Sequence, residues 1–177
     1  MAFAHPFYGV VKSTLVRPSN TSAYAQNDLI ASSTTAGSIS VPSFTLPRDD
    51  TEVAEITRGV LYTSLVSGFT TFQGRVDLWD APPTFTNGDN GAYAVATGSA
   101  HWLGEMTSQV SNAYLAGADG GHVRLLPGPS GTVPGEIIMW ARAPGDKLYW
   151  SLQEIDSTGF TPASGETFTL ALDLIQR

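Results

Sequence analysis

Cysteine is absent from the 177 residues. Disulfides, thiolate zinc sites and cysteine nucleophiles are therefore excluded. Positive charge is scarce: nine Lys+Arg stand against 16 Asp+Glu, a formal net charge of -7. The cations are scattered singly, whereas duplex nucleic acid is held by clustered Lys and Arg that displace phosphate counterions. Neither nucleic acid nor an acidic lipid surface is expected as a partner. No apolar run approaches the roughly 18 residues of a membrane-spanning helix. The first residues, MAFAHPFYGV, lack the basic and long apolar regions of a secretory signal, so export by that route is not expected.

Motifs for chemistry are equally sparse. There is no P-loop and no GxGxxG, hence no nucleotide signature. The three histidines, His5, His101 and His122, show neither HExxH nor paired spacing. A zinc site needs about three or four converging ligands, so no metal and no cofactor is expected. Ser130 in GPSGT has only the outline of a nucleophile elbow: the second glycine is misplaced and no helix follows. A carboxylate pair for glycoside hydrolysis is always available among so many acids, but no motif selects one. The expectation is a protein without catalytic residues.

What is abundant is turn chemistry and alternation. The chain has 18 Gly and 11 Pro, and only 14% of its residues are charged. In TFTLALDLI, Phe168, Leu170, Leu172 and Leu174 fall on one parity, and Thr167, Thr169, Ala171 and Asp173 on the other. That is a half-buried strand. In KLYWSLQEI, Leu148, Trp150 and Leu152 share a face. In TFQGRVDLWD, Phe72, Gly74, Val76 and Leu78 share one, and Trp79 falls opposite. The long β-prone stretch over 52–67 changes parity near Gly59, which predicts a β-bulge there. Weaker strands are expected over 9–16, 27–32, 38–46, 92–96, 101–107, 122–126 and 136–141. The segment 108–117 reads equally as a short helix or a loop.

Loops separate these strands. NGDNG, residues 87–91, offers Asn87, Asp89 and Asn90 as oxygen ligands, but the spacing and closing Glu of a calcium-binding EF-hand loop are missing. A turn held by its own Asn and Asp side chains is expected instead. Asn20 opens an N-glycosylation sequon, discounted without a signal peptide. Many short strands between turns, with no internal repeat and no splitting linker, predict one all-β domain: an antiparallel β-sandwich, jelly-roll-like. Residues 9–177 would form it. Residues 1–8, aromatic and interrupted by proline, read as an extended N-terminal arm that covers its own core or reaches a neighbour.

Three segments carry a family resemblance: RPSNTSAYAQNDLI (17–30), VDLWDAPPTFTNGDNGAYAV (76–95) and LYWSLQEIDSTGFTPASGETFTLALDLIQ (148–176). In their order they resemble small jelly-roll-like structural proteins of tailed bacteriophages, of the head decoration or cement type. The three segments hold 63 of the 177 residues. It implies assembly without catalysis, on the head surface of a virion made in the host cytoplasm. The implied partners are the major capsid protein or other virion proteins, together with further copies of the chain, a trimer being expected. Two alternatives stay open: a neck or tail protein, and a carbohydrate-binding host-attachment module using Trp79 as a surface aromatic. The arm residues Phe3, His5, Pro6, Phe7 and Tyr8 are the expected assembly interface. Arg17 and Asp28 are expected to pair across a polar turn, with Tyr24 donating its hydroxyl to backbone.

Overall fold

The computed structural model describes residues 7–47, 53–64, 72–108, 121–127, 139–142 and 146–176. They form ten strands: β1 (Phe7–Val16), β2 (Leu29–Ile30), β3 (Ser43–Thr45), β4 (Val53–Thr63), β5 (Gly74–Trp79), β6 (Trp102–Ser108), β7 (Gly121–Pro127), β8 (Met139–Arg142), β9 (Lys147–Glu154) and β10 (Thr167–Gln176). A short 3-10 turn, Ala36–Ser38, is the one helical element among the described residues. All pairings are antiparallel, in the order β1-β10-β4-β7-β6-β5-β9-β2, with β8 also on β4 and β3 also on β9. The domain is all-β and single, and its sheet curls into a half-barrel compatible with a β-sandwich or jelly roll. Curling brings β3 close to β1.

Alternation decides which side faces in. The expected apolar parity of β10 is buried throughout: Phe168, Leu170, Leu172 and Leu174. Leu148, Trp150 and Leu152 of β9 and Val76 and Leu78 of β5 meet them in one continuous core with Ile56, Leu61 and Met106. Phe72 closes one end, edge-on to Phe160 at 5.2 Å between ring centroids. Such aromatic contacts add about 0.5–1.5 kcal/mol to the burial term.

The bulge expected near Gly59 is present two residues earlier. Asp173 of β10 pairs with Arg58 while Leu174 pairs with Ile56, so Thr57 is the extra residue. There β4 also changes partner, from β8 over Val53–Ile56 to β7 over Gly59–Thr63. Gly59 returns to the buried face where a Cβ would come within 2.6 Å of Met106 Cε, so even alanine would displace that side chain.

Two expectations change. Phe7 and Tyr8 are not arm residues: they pair with Gln176 and Ile175, because alternation in β1 starts before the glycine at position 9. Residues 92–96 are not a strand either. They make only isolated bridges, Asp28 to Ala92 and Phe85 to Val95. This segment lies over the sheet and builds a second small core, in which Leu29, Ala31 and Phe85 are packed by Ile39, Val41, Tyr93 and Val95. The segment 108–117 lies outside the described residues beyond Ser108, which ends β6.

Candidate functional site

Arg17 follows β1 directly and is buried, yet its partner is not Asp28. Its guanidinium reaches Asp89 Oδ2 through an N–H at 3.0 Å, and neither side chain has any exposed surface. The Arg17 Nε–H also donates to the Tyr24 hydroxyl, and that hydroxyl donates to Asp89 Oδ1 at 2.6 Å. The same carboxylate oxygen accepts from the Ala31 backbone N–H at 2.9 Å. Further guanidinium N–H groups donate to Ala163 O and Asn20 Oδ1, each at 3.2 Å. Desolvation by burial, reinforced by Asp89, pushes the Tyr24 phenol far above its ordinary pKa. It therefore stays a neutral donor. One network thus ties together the end of β1, the turn after it, the NGDNG loop and the turn before β10. Asp28 acts only locally. Its carboxylate accepts from the Ala25 N–H at 2.7 Å and holds the turn.

The geometry makes Asp89 the acceptor on which this end of the domain converges. Its loop is a turn, as NGDNG suggested: the Gly91 N–H donates to Gly88 O, and Asn87 and Asn90 side chains donate to Ala92 O and Ala23 O. Asn90 takes the left-handed conformation, φ 63. A Cβ on Gly88 would collide with the Thr34 carbonyl, so only glycine lets the loop approach closely enough to deliver Asp89.

A second buried carboxyl, Glu154 at the end of β9, has different surroundings. One oxygen accepts from the Asp156 N–H at 2.7 Å and the Gln73 N–H at 3.3 Å; the other has no partner among the described residues. Burial, partly offset by those N–H groups, raises its pKa to about 7. Glu166 is also raised by burial, against hydrogen bonds from Thr63 and the Ala163 N–H and the charge of Arg17.

Among the described residues no three His, Asp or Glu side chains are placed to hold a metal ion. His101 Nδ1 pairs with Asp80 Oδ2 at 2.7 Å, but no described hydroxyl hydrogen-bonds its other ring nitrogen. His122 leans on the Tyr62 ring at 5.8 Å. A cavity bounded by Leu15, Ile30, Ile39, Phe85 and Trp150 holds about 10 Å³, room for roughly one water.

Trp79, expected at the surface, is only 7% exposed. Its parity is the outward one, but the 84–96 segment lies on that side, and the indole N–H donates to Ser151 Oγ at 2.9 Å beside the Tyr93 hydroxyl. Trp102, its cross-strand neighbour, is exposed, at 55%.

Among the described residues, exposed large apolar side chains concentrate elsewhere. Tyr8, Val10 and Val16 line the outward parity of β1, and Tyr62 follows on the same face two strands away. Tyr8 is 67% exposed. Lys12 lies between Val10 and Val16, with Nζ 5.9 Å from the Tyr62 ring centroid. Register adds Arg58, ion-paired to Asp173 at 2.7 Å, and Arg124. A chain of net charge -7 thus places three of its nine Lys+Arg on one apolar face. Phe3, His5 and Pro6 lie outside the described residues.

No family model matches the chain, and no curated protein matches it significantly. Among solved structures, it aligns with a point mutant of the unassembled VP1 pentamer of Washington University polyomavirus. That alignment covers 98% of this chain and 94% of the other at 10% identity, with a TM-score of 0.21. So loose an overlap carries no argument about fold or function.

Proposed function

We propose that the protein is a non-enzymatic structural subunit of a virus particle, a capsid decoration or cement protein that binds the capsid lattice and other copies of itself. The observation that carries an assembly role is the outward face of β1, β10, β4 and β7. A soluble domain gains nothing from holding Tyr8, Val10, Val16 and Tyr62 in water along one sheet. Exposed aromatic and branched side chains gathered on one sheet face and interleaved with charge suit a protein-binding surface. Lys12, Arg58 and Arg124 suit it to an apolar surface edged with carboxylates. The three sequence segments that resemble tailed-phage structural proteins support a virion setting. The buried Arg17–Asp89 network gives such a subunit a fixed end.

Replacing Val10 and Val16 by serine tests the face. Both side chains are more than half exposed, so the thermal melt is expected to stay within a few degrees of wild type. Co-sedimentation with particles lacking the protein is expected to fall at least about tenfold, a loss of about 1.4 kcal/mol or more. Undiminished co-sedimentation would remove this face from the interface.

A further inference from the structure

The outward side of β9, β5 and β6 is built differently: the 84–96 segment lies on it, Asp77, Trp79 and Gln153 are buried, and Trp102 is exposed. Register sets Arg75 beside Gln153, Asp77 beside Glu105, and Trp79 beside Trp102. We propose that this face binds a neutral saccharide, with Trp102 as the stacking platform and Arg75 and Glu105 as hydrogen-bonding groups. The inference is independent of the assembly role.

Trp102 is exposed but tethered. Its indole N–H donates to Asp77 Oδ1 at 2.9 Å. Asp77 is buried and accepts from an Arg75 N–H at 3.2 Å, and the Arg75 guanidinium lies 5.4 Å from the Tyr93 ring centroid. An exposed indole held this way has little rotamer freedom left to lose when a ligand covers it. Its open face offers the flat apolar surface that the C–H side of a sugar ring covers.

Hydrogen-bonding capacity is left open beside it. The Glu105 carboxylate lies 3.7 Å from the guanidinium, too far for a hydrogen bond. Among the described residues Arg75 Nε has no partner, and neither has Oε1 of Gln153, a residue only 4% exposed. Both atoms are enclosed, so a buried water suits them, and the groups that a surface ligand reaches are the partly exposed ends of Arg75 and Glu105.

Charge selects the ligand class. Asp77 and Glu105 against Arg75 leave one net negative charge, which repels phosphate, sulfate and sialic acid. The guanidinium at the centre repels a simple cation. A neutral polyhydroxyl ring satisfies both conditions.

The test applies the purified full chain to an array of neutral hexose and N-acetylhexosamine oligosaccharides alongside sialylated and sulfated ones, then titrates the best neutral oligosaccharide by calorimetry. Retention of neutral glycans is expected. Trp102→Ala is expected to weaken that binding at least about tenfold, about 1.4 kcal/mol, Glu105→Gln to weaken it several-fold, and Trp102→Phe to keep most of it. Glu105→Gln preserves side-chain shape, so it decides the matter if Trp102→Ala does not fold. No retained neutral glycan, retention of anionic glycans alone, or undiminished binding by Glu105→Gln would each overturn the proposal.

Discussion

Replacing Asp89 by alanine is expected to destabilise the domain by about 3–5 kcal/mol, because it strands a buried guanidinium without its counter-charge. Arg17 has no exposed side-chain surface through which water could compensate. The substitution also removes the acceptor of the Tyr24 hydroxyl and the Ala31 N–H. Tyr24→Phe removes only the hydroxyl contacts and keeps the ring, which stacks against Phe160 at 6.4 Å; about 1–3 kcal/mol is expected there. Urea unfolding of the two variants and wild type measures both. The ordering matters as much as the size, since Asp89 serves three donors from distant segments. A change below about 1 kcal/mol for Asp89→Ala would mean that the ion pair does not hold this end together.

Glu154 is expected to make stability fall as pH rises. Its carboxyl, ordinarily near 4.5, is raised to about 7 in the folded protein. Between these values the folded chain holds a proton that the unfolded chain has released. Stability from this group is therefore fully present below about pH 4.5 and is lost as pH rises through about 7. The loss is about 3 kcal/mol at most, from 1.36 kcal/mol per pKa unit. Glu166 is shifted in the same direction, so the wild-type slope contains more than one group. Glu154→Gln isolates the contribution: its unfolding free energy is expected to vary less than that of wild type between about pH 5 and 8. Parallel pH profiles for the two proteins would show that the Glu154 carboxyl is not buried in solution.

Much of the fold is legible in the sequence because a strand exposes its two faces alternately. β10, β9 and β5 follow from parity alone, and the parity change in 52–67 marks the bulge at Thr57 to within two residues. The same rule misplaces Trp79 for a physical reason. Parity assigns a side chain to a face of its sheet but does not say what else lies on that face. Here the 84–96 segment does, and Tyr93 reaches Ser151 beside the indole. Nothing in the residues around Trp102 marks it as exposed where Trp79 and Trp150 are buried. Arg17 calls for an acidic partner, and Asp28 is the near one along the chain. The real partner is 72 positions away, in a loop whose composition indicates only a turn. A close approach of that loop at Gly88 brings the two charges together, and no local pattern encodes that pairing.

The apolar face of β1 and β4 is a product of the same alternation. Tyr8, Val10 and Val16 sit on the parity that polar residues usually occupy, and only Lys12 and Thr14 interrupt them. A lysine in the middle of an edge strand discourages unwanted strand pairing. The face is thus better suited to a partner's surface than to extension of the sheet.

The most direct measurement is immunogold electron microscopy of purified particles with serum raised against this chain. Gold distributed over the head is the predicted result. Intact particles carrying no gold, while the same serum recognises the free chain, would contradict a capsid-surface role.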